Sequence, residues 1–217
     1  MAAVKPPNGA REPLVSVIIP TLDEAESLGE VLAAVPSSNV PCEVFVVDAG
    51  SSDRTAEIAL EAGATVIHSP RRQRAYQLNL GARDAHAALL LFLHADTVLP
   101  EQALESMIAA LTDRRIAGGA FTRRYTSRSR VLRCTCLLAR SRNLLIGWHL
   151  GDQAMFARRA GFFQIGGFRE VERFEDLDFS RRLRAFGRTV TLRACVTSSR
   201  AASINQVRLA ERCAISC

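Results

Sequence analysis

Short apolar runs alternate with helical periodicity through the first half of this 217-residue chain. LVSVIIP (14–20) is a nearly continuous β-branched run closed by proline, the pattern of a strand buried on both faces. Leu28, Val31, Leu32 and Val35 then share one side of a helix that Pro36 stops. EVFVVD (43–48) predicts a second buried strand, 53–62 a helix closed by Gly63, and ATVIH (64–68) a third strand. A helix over about 73–86 leads to a fourth, very apolar strand, ALLLFLHAD (88–96), and Pro100 opens the next helix at its first turn. This alternation predicts βαβ units, an α/β fold and a mainly parallel sheet flanked by helices. Ligands of such sheets bind beyond the carboxyl ends of the strands. The candidate chemistry at those ends is acidic: Asp23, Asp48 with Asp53, and Asp96 follow the first, second and fourth strands. Asp23 and Asp53 also suit a plain helix-capping role.

The second half is less regular. IAGGAFTRRY (116–125) predicts a strand with close backbone approach at Gly118-Gly119, and 127–146 a basic amphipathic helix. GDQAMFARR (151–159) predicts a short strand entered through Gly151-Asp152, and Gly166-Gly167-Phe168 a turn. FEDLDFSRRLRAFG (174–187) predicts a helix stopped by Gly187. Within it Asp176, Phe179, Leu183 and Phe186 fall on one face. The apolar members face a core, so Asp176 carries that face into the first turn. A carboxylate there is either a partner of the helix dipole or an acid/base group aimed into a cleft.

Composition changes the picture in one respect. Apolar residues at 48% and charged residues at 23% are ordinary for a globular protein and exclude disordered, collagen-like and coiled-coil classes. The net charge of +6, however, hides two opposed halves. Residues 1–112 hold 7 basic and 14 acidic side chains, whereas residues 113–217 hold 21 and 8. The six irregularly spaced cysteines suit free thiols in a reducing cytosol. No stretch of 18 uncharged apolar residues is present, and 131–150 carries Arg133, Arg140 and Arg142. The last residues form no prenylation box, since Ala214 stands where cysteine is needed. The expected organisation is a flexible arm (1–13), an acidic half (14–112), a basic half of the same domain (113–200) and an atypical tail (201–217). The expected location is cytoplasmic, with the arginine-rich stretch meeting an anionic surface, either a membrane or a phosphorylated partner.

Four strings, in order, resemble a known family. VSVIIPTLDEAESL resembles the start "IPxYNEE", and VVDAGSSDRT resembles "VVDDGSxDxT". LHADT stands at the position of a DxD motif, and FEDLDFSRRL resembles an "ED" helix. Together, over about residues 14–193, they resemble a family-2 glycosyltransferase of the GT-A fold. RRQRAYQLNLGA and the GDQ/GGF pair further resemble a small bacterial subgroup with members near radical-SAM or arsenosugar pathway genes. The resemblance implies transfer of a sugar, with inversion, from a nucleoside-diphosphate donor, usually UDP-linked, assisted by Mn²⁺ or Mg²⁺. It implies that Asp48 accepts a hydrogen bond from the base, with Pro20, Thr21, Leu22 and Asp23 beside it, and that Arg74 and Ala95 contact the nucleotide. It places the metal on Asp96, with His94 a candidate second ligand. Asp176 becomes the catalytic base with Glu175 beside it, and Gly151, Asp152 and Gln153 line the acceptor side.

The residue types suit that chemistry. A diphosphate leaving group calls for an oxygen-loving divalent ion, and hence a carboxylate to hold it. An acceptor hydroxyl needs a base as its bond forms. The chain departs from the pattern at Leu22 for Tyr, Asp23 for Asn, His94 for the first Asp of DxD, and Gln73 for the Gly common before the arginine. A nucleotidyltransferase would share the sheet, but PTLDEAES lacks the Gly and Lys of its phosphate loop. A nucleic-acid-binding module would interleave aromatics with its arginines, and 123–142 holds only Tyr125, so no nucleic-acid partner is expected.

Overall fold

The buried strands form where the apolar runs place them. The computed structural model describes residues 12–35, 39–125, 149, 151–171 and 173–198. Strand β1 (Val15–Thr21) lies between β2 (Cys42–Asp48) and β4 (Leu89–Phe92), and β3 (Thr65–His68) extends the sheet beyond β2, all four parallel. The connecting helices are α1 (Ala25–Ala34), α2 (Thr55–Glu61) and α3 (Arg74–Asp84). Beyond β4 come β5 (Thr97–Val98), α4 (Ala103–Ala110) and β6 (Ile116–Tyr125). A 3-10 turn at Gly151–Gln153 leads into β7 (Met155–Arg158), α5 (Arg159–Gln164), α6 (Glu175–Phe186) and β8 (Arg188–Ser198).

These strands make one eight-stranded sheet in the order β3-β2-β1-β4-β7-β6-β8-β5. Strand β7 runs antiparallel to both β4 and β6, β8 runs parallel to β6, and β5 is antiparallel to β8. Hydrogen bonding is therefore continuous from the acidic half of the chain into the basic half. Neighbouring strand residues point to opposite faces, and two apolar layers result. Val15, Val17, Ile19, Leu91 and Phe156 pack against Leu28, Val31, Leu104 and Met107 of α1 and α4. Ile18, Val47, Leu90 and Phe92 pack on the other face against Leu78 of α3, Phe162 of α5 and Phe179 and Leu183 of α6. Rings of Phe92, Phe162, Phe168 and Phe179 stack there with centroids 4.3–6.1 Å apart. Each face of the sheet is thus sealed, which leaves the strand ends as the place for a ligand.

The close approach expected at Gly118-Gly119 is present. A Cβ on Gly118 would stand 2.2 Å from the Phe156 carbonyl oxygen, and one on Gly119 2.0 Å from that of Val190. Four boundaries differ from the sequence expectation. Pro100 does not open the next helix, because α4 begins at Ala103 behind a left-handed cap at Gln102. The fourth strand ends at Phe92, so Asp96 sits in the turn beyond it. Gly151–Gln153 is a turn and not strand, joined to β7 through Ala154 at φ 48°. Phe174, at φ 63°, is the cap of α6 and not its first residue. The basic helix expected over 127–146 and the tail 201–217 lie outside the described residues, as does 131–150 apart from His149. No helix among the described residues is long and apolar enough to cross a membrane.

Candidate active site

The carboxyl ends of β1 and β2 are stitched together by their own loops. Asp48, 3% exposed at the end of β2, accepts backbone N–H bonds from Gly50 and Ser51 on Oδ2, both 3.0 Å. Its Oδ1 accepts the hydroxyls of Ser51 and Thr21, the latter at 3.2 Å. Burial pushes this carboxyl up, but the bonds from Ser51, Gly50 and Thr21 outweigh it and hold Asp48 below the usual carboxylate range. Asp23, at φ 54°, accepts from the Ser52 N–H at 2.7 Å, and its own N–H donates to Ser51 Oγ at 2.9 Å. Asp53 accepts the N–H of Ala25 at 3.1 Å and of Thr55 at 3.0 Å, tying down the first residues of α1 and α2 together. Asp53 is not itself a helix cap, since Arg54 caps α2 and Glu24 caps α1. It links the two helix starts from one position before the α2 cap, and Asp23 stitches the same loops.

Gln77 of α3, 5% exposed, was not singled out by its sequence context. Its amide donates to the carbonyls of Thr21 at 2.9 Å and Val47 at 2.7 Å. It therefore fixes the spacing of the two strand ends from the helix side. Pro20 is half-buried, Thr21 buried, and Leu22 37% exposed at the rim. Ala95 is 4% exposed and belongs to the apolar layer, so it can offer a ligand its backbone and not its side chain. Asp96 follows it, with Oδ1 accepting the Thr97 hydroxyl at 3.0 Å. Glu24 lies close enough to Asp96, Asp53 and Asp23 that, after burial, their charges raise its pKa further.

The basic half of the chain meets this edge through a chain of charged contacts. Arg74, the first residue of α3, points Nη2 at His94 Nε2 and holds Nη1 3.6 Å from Glu175 Oε1. Burial lowers the Arg74 pKa, against the opposing pull of Glu175, Asp176 and Asp96, so all three carboxylates surround its charge. Burial and then the charges of Arg74 and Arg123 hold His94 well below its ordinary range, so the ring is neutral. Asp176 Oδ2 accepts the Gly151 N–H at 2.6 Å and Oδ1 accepts the Leu177 N–H at 2.7 Å. One helical turn on, Ser180 Oγ accepts the His149 N–H at 2.7 Å, so the same segment grips α6 twice. Asp152 pairs with Arg123 of β6, both side chains largely buried. Gln153 turns inward instead, 3% exposed, with its amide 3.4 Å from the Phe121 carbonyl.

Asp96, His94, Arg74, Glu175, Asp176, Gly151 and Asp152 therefore meet in one cleft, while the side chains of Gln153 and Ala95 do not enter it. Arg123 and Ser180 were missed because their partners lie 29 and 31 positions away, with no local signal. Two polar atoms in the cleft, Arg74 Nε and Asp152 Oδ1, are buried with no hydrogen-bond partner among the described residues. Buried groups of that kind are costly unless something partners them. Among the described residues no three His, Cys, Asp or Glu side chains gather as a metal site. A single carboxylate, Asp96, still fits an ion whose other ligands are diphosphate oxygens and waters.

Comparison with known proteins places this chain in a family. Residues 16–165 match glycosyl transferase family 2, and the chain belongs to that family. It is 36% identical over 109 residues to glycosyltransferase AglE of Haloferax volcanii, covering 46% of this chain and 36% of the relative. It is 34% identical over 112 residues to a 4,4'-diaponeurosporenoate glycosyltransferase of Staphylococcus haemolyticus, covering 48% and 30%. The match thus spans about a third of each relative's length. Among solved structures, the mannosyltransferase PcManGT of Pyrobaculum calidifontis, in complex with GDP-Man and Mn²⁺, superposes with TM-score 0.72 at 21% identity, over 87% of this chain and 57% of that one. S. aureus TarS 1–349 gives 0.73 at 19%, over 85% and 60%. The fold is GT-A.

Proposed function

We propose that this chain transfers a sugar from a UDP-linked donor to an acceptor hydroxyl with inversion, assisted by a divalent metal on Asp96. The observation that supports this best is the way Arg74 joins the two halves, reaching Glu175 beside Asp176 in the basic half and His94 beside Asp96 in the acidic half. The solved relatives hold GDP-Man with Mn²⁺ in one case and UDP-GlcNAc in another, which suits a nucleotide-sugar donor here. In this reading the base lies against Pro20, Thr21 and Leu22. Asp48 stands at its edge, and the Ser51 hydroxyl yields its place on Oδ1 to the base N–H. Asp96 holds Mn²⁺ or Mg²⁺, which when bound offsets charge developing on the diphosphate. Arg74 Nε donates to a phosphate oxygen.

Asp176, fixed by two backbone N–H groups, takes the acceptor proton as the new C–O bond forms and the bond to phosphate breaks. One displacement on one face inverts the anomeric carbon. Asp152 Oδ1 accepts a second hydroxyl of the acceptor, and the arginines of the basic half favour an acceptor or surface that carries negative charge. The subgroup near radical-SAM or arsenosugar genes remains part of this proposal on the strength of the RRQRAYQLNLGA and GDQ/GGF strings alone.

A calorimetric series with UDP, GDP and dTDP, each with and without Mn²⁺, tests the donor half of this reading. UDP binds with Mn²⁺ dependence in the wild type, and Asp96→Ala weakens the Mn²⁺-dependent binding by about a hundredfold. Equal UDP binding by both proteins in Mn²⁺ would remove Asp96 from the metal role.

A further inference from the structure

His94 occupies a position where a second carboxylate would be expected beside the metal, and it is already committed. Its Nε2 faces Arg74 Nη2, and its Nδ1 stands 4.0 Å from Asp96 Oδ1. A guanidinium only donates, so the contact at Nε2 requires that nitrogen to supply its lone pair. A neutral imidazole has one acceptor and one donor nitrogen, which puts the proton on Nδ1, on the Asp96 side. Neither nitrogen then has a lone pair for a metal ion.

Gly151 supplies an independent observation. A Cβ built there would lie 2.3 Å from Arg74 Nη2 and 3.1 Å from His94 Nε2. The Arg74–His94 contact thus fills the volume a side chain at 151 would take, and the same Gly151 donates its N–H to Asp176. We infer that His94 is a positioning residue and not a metal ligand: it holds the Arg74 guanidinium over Gly151, between the metal carboxylate and the catalytic helix. This rests on the proposed donor reading for what Arg74 does, but not for where His94 points. His94 steers Arg74 toward the diphosphate and keeps its positive charge against Nε2, where a cation would be repelled. The metal site is then a single-carboxylate site, completed by the donor.

Two measurements on the full chain separate the possibilities. The ¹⁵N shifts of the His94 ring, in the protein without nucleotide, report an Nδ1–H tautomer. An Nε2–H tautomer would overturn the inference whatever the enzyme's donor. Next, Mn²⁺ binding at UDP concentrations that saturate every variant is followed by electron paramagnetic resonance for His94→Ala, His94→Gln and His94→Asn. Mn²⁺ affinity stays at the wild-type level in all three. UDP affinity falls about tenfold in His94→Ala and His94→Asn, and His94→Gln, whose amide oxygen replaces Nε2 as acceptor, restores it. A drop in Mn²⁺ affinity of about tenfold or more in all three variants would make His94 a ligand instead. A wild-type protein that binds no nucleotide with Mn²⁺ would sink the donor reading, and the tautomer alone would then decide where His94 points.

Discussion

The two rims of the cleft are built on different principles. The rim proposed to take the donor, formed by the ends of β1 and β2, is held by short neutral and charge-assisted bonds to backbone groups. Asp48, Asp23, Asp53 and Gln77 together tie down N–H or C=O groups on both loops. The rim proposed to take the acceptor is held largely by side chains that reach across the chain, Arg74 to Glu175 and Arg123 to Asp152, with two backbone bonds, from Gly151 to Asp176 and from His149 to Ser180. Backbone stitching fixes geometry before any ligand arrives. Charged pairs hold equally well until a competing charge appears, and a diphosphate or an acidic acceptor is such a charge. The donor rim is therefore preorganised, and the acceptor rim is arranged so that ligands can exchange partners with it.

The sharpest way to break this contrast is at the proposed base. Asp176→Asn keeps an acceptor oxygen for the Gly151 or Leu177 N–H, so α6 stays in place, but the amide cannot take a proton. Transfer falls roughly a thousandfold while UDP affinity is unchanged. Single-turnover rates beside a UDP titration check both halves of that statement. Retained turnover would move the base elsewhere, and lost UDP binding would mean that the two rims are not separable.

A change on the donor rim should act on stability first. Asp48→Asn offers amide hydrogens to donors that already have hydrogens, and costs about 3 kcal/mol at neutral pH in denaturant unfolding. The pH dependence gives a second readout. Asp48 has its folded pKa below the unfolded value of about 3.9, so its contribution is complete above that value and is lost as pH falls through the folded pKa. The gap between wild type and Asp48→Asn therefore narrows below about pH 4. A gap independent of pH would show that the carboxylate's charge is not what holds the loops.

The same contrast explains what the sequence made legible. Strands β1, β2 and β6, and the helix carrying Asp176, have strong local periodicity, and the strand-end rule led directly to Asp48 and Asp96. Proximity in sequence also pointed to a local role for Asp53, which accepts the N–H of Thr55 at the start of α2, although Arg54 and not Asp53 is the cap. The acceptor rim depends on partners far apart, so Arg123, Ser180 and the inward turn of Gln153 left no local trace. Helix α5, only six residues with a glycine inside, is too short for a period to show. Strand β8 did carry a signal in the β-branched Thr189, Val190, Thr191 and Val196, but nothing local shows that it joins β6 in parallel. The reversal of β7, which welds the two halves into one sheet, is likewise a property of pairing and not of composition.

The smallest effect concerns backbone strain. Phe174 is 67% exposed and left-handed at φ 63°, immediately before Glu175 and Asp176. A bulky L-residue there costs about 1–2 kcal/mol, and neither burial nor a capping hydrogen bond from the side chain offsets it. Phe174→Gly removes the clash but adds chain entropy to the unfolded state, for a net gain of about 0.5 kcal/mol and a Tm rise of about 1–2 °C. Phe174→Asn, which tolerates this conformation and caps helices well, should match or exceed it. If Tm rises while transfer slows, the aromatic is kept for the acceptor and its strain is borne at the working end of α6. If Tm rises and transfer is unchanged, the strain has no functional return. A fall in Tm in both variants would show that the ring packs on the acceptor rim, and the contrast drawn above would need a neutral contact added to its charged ones.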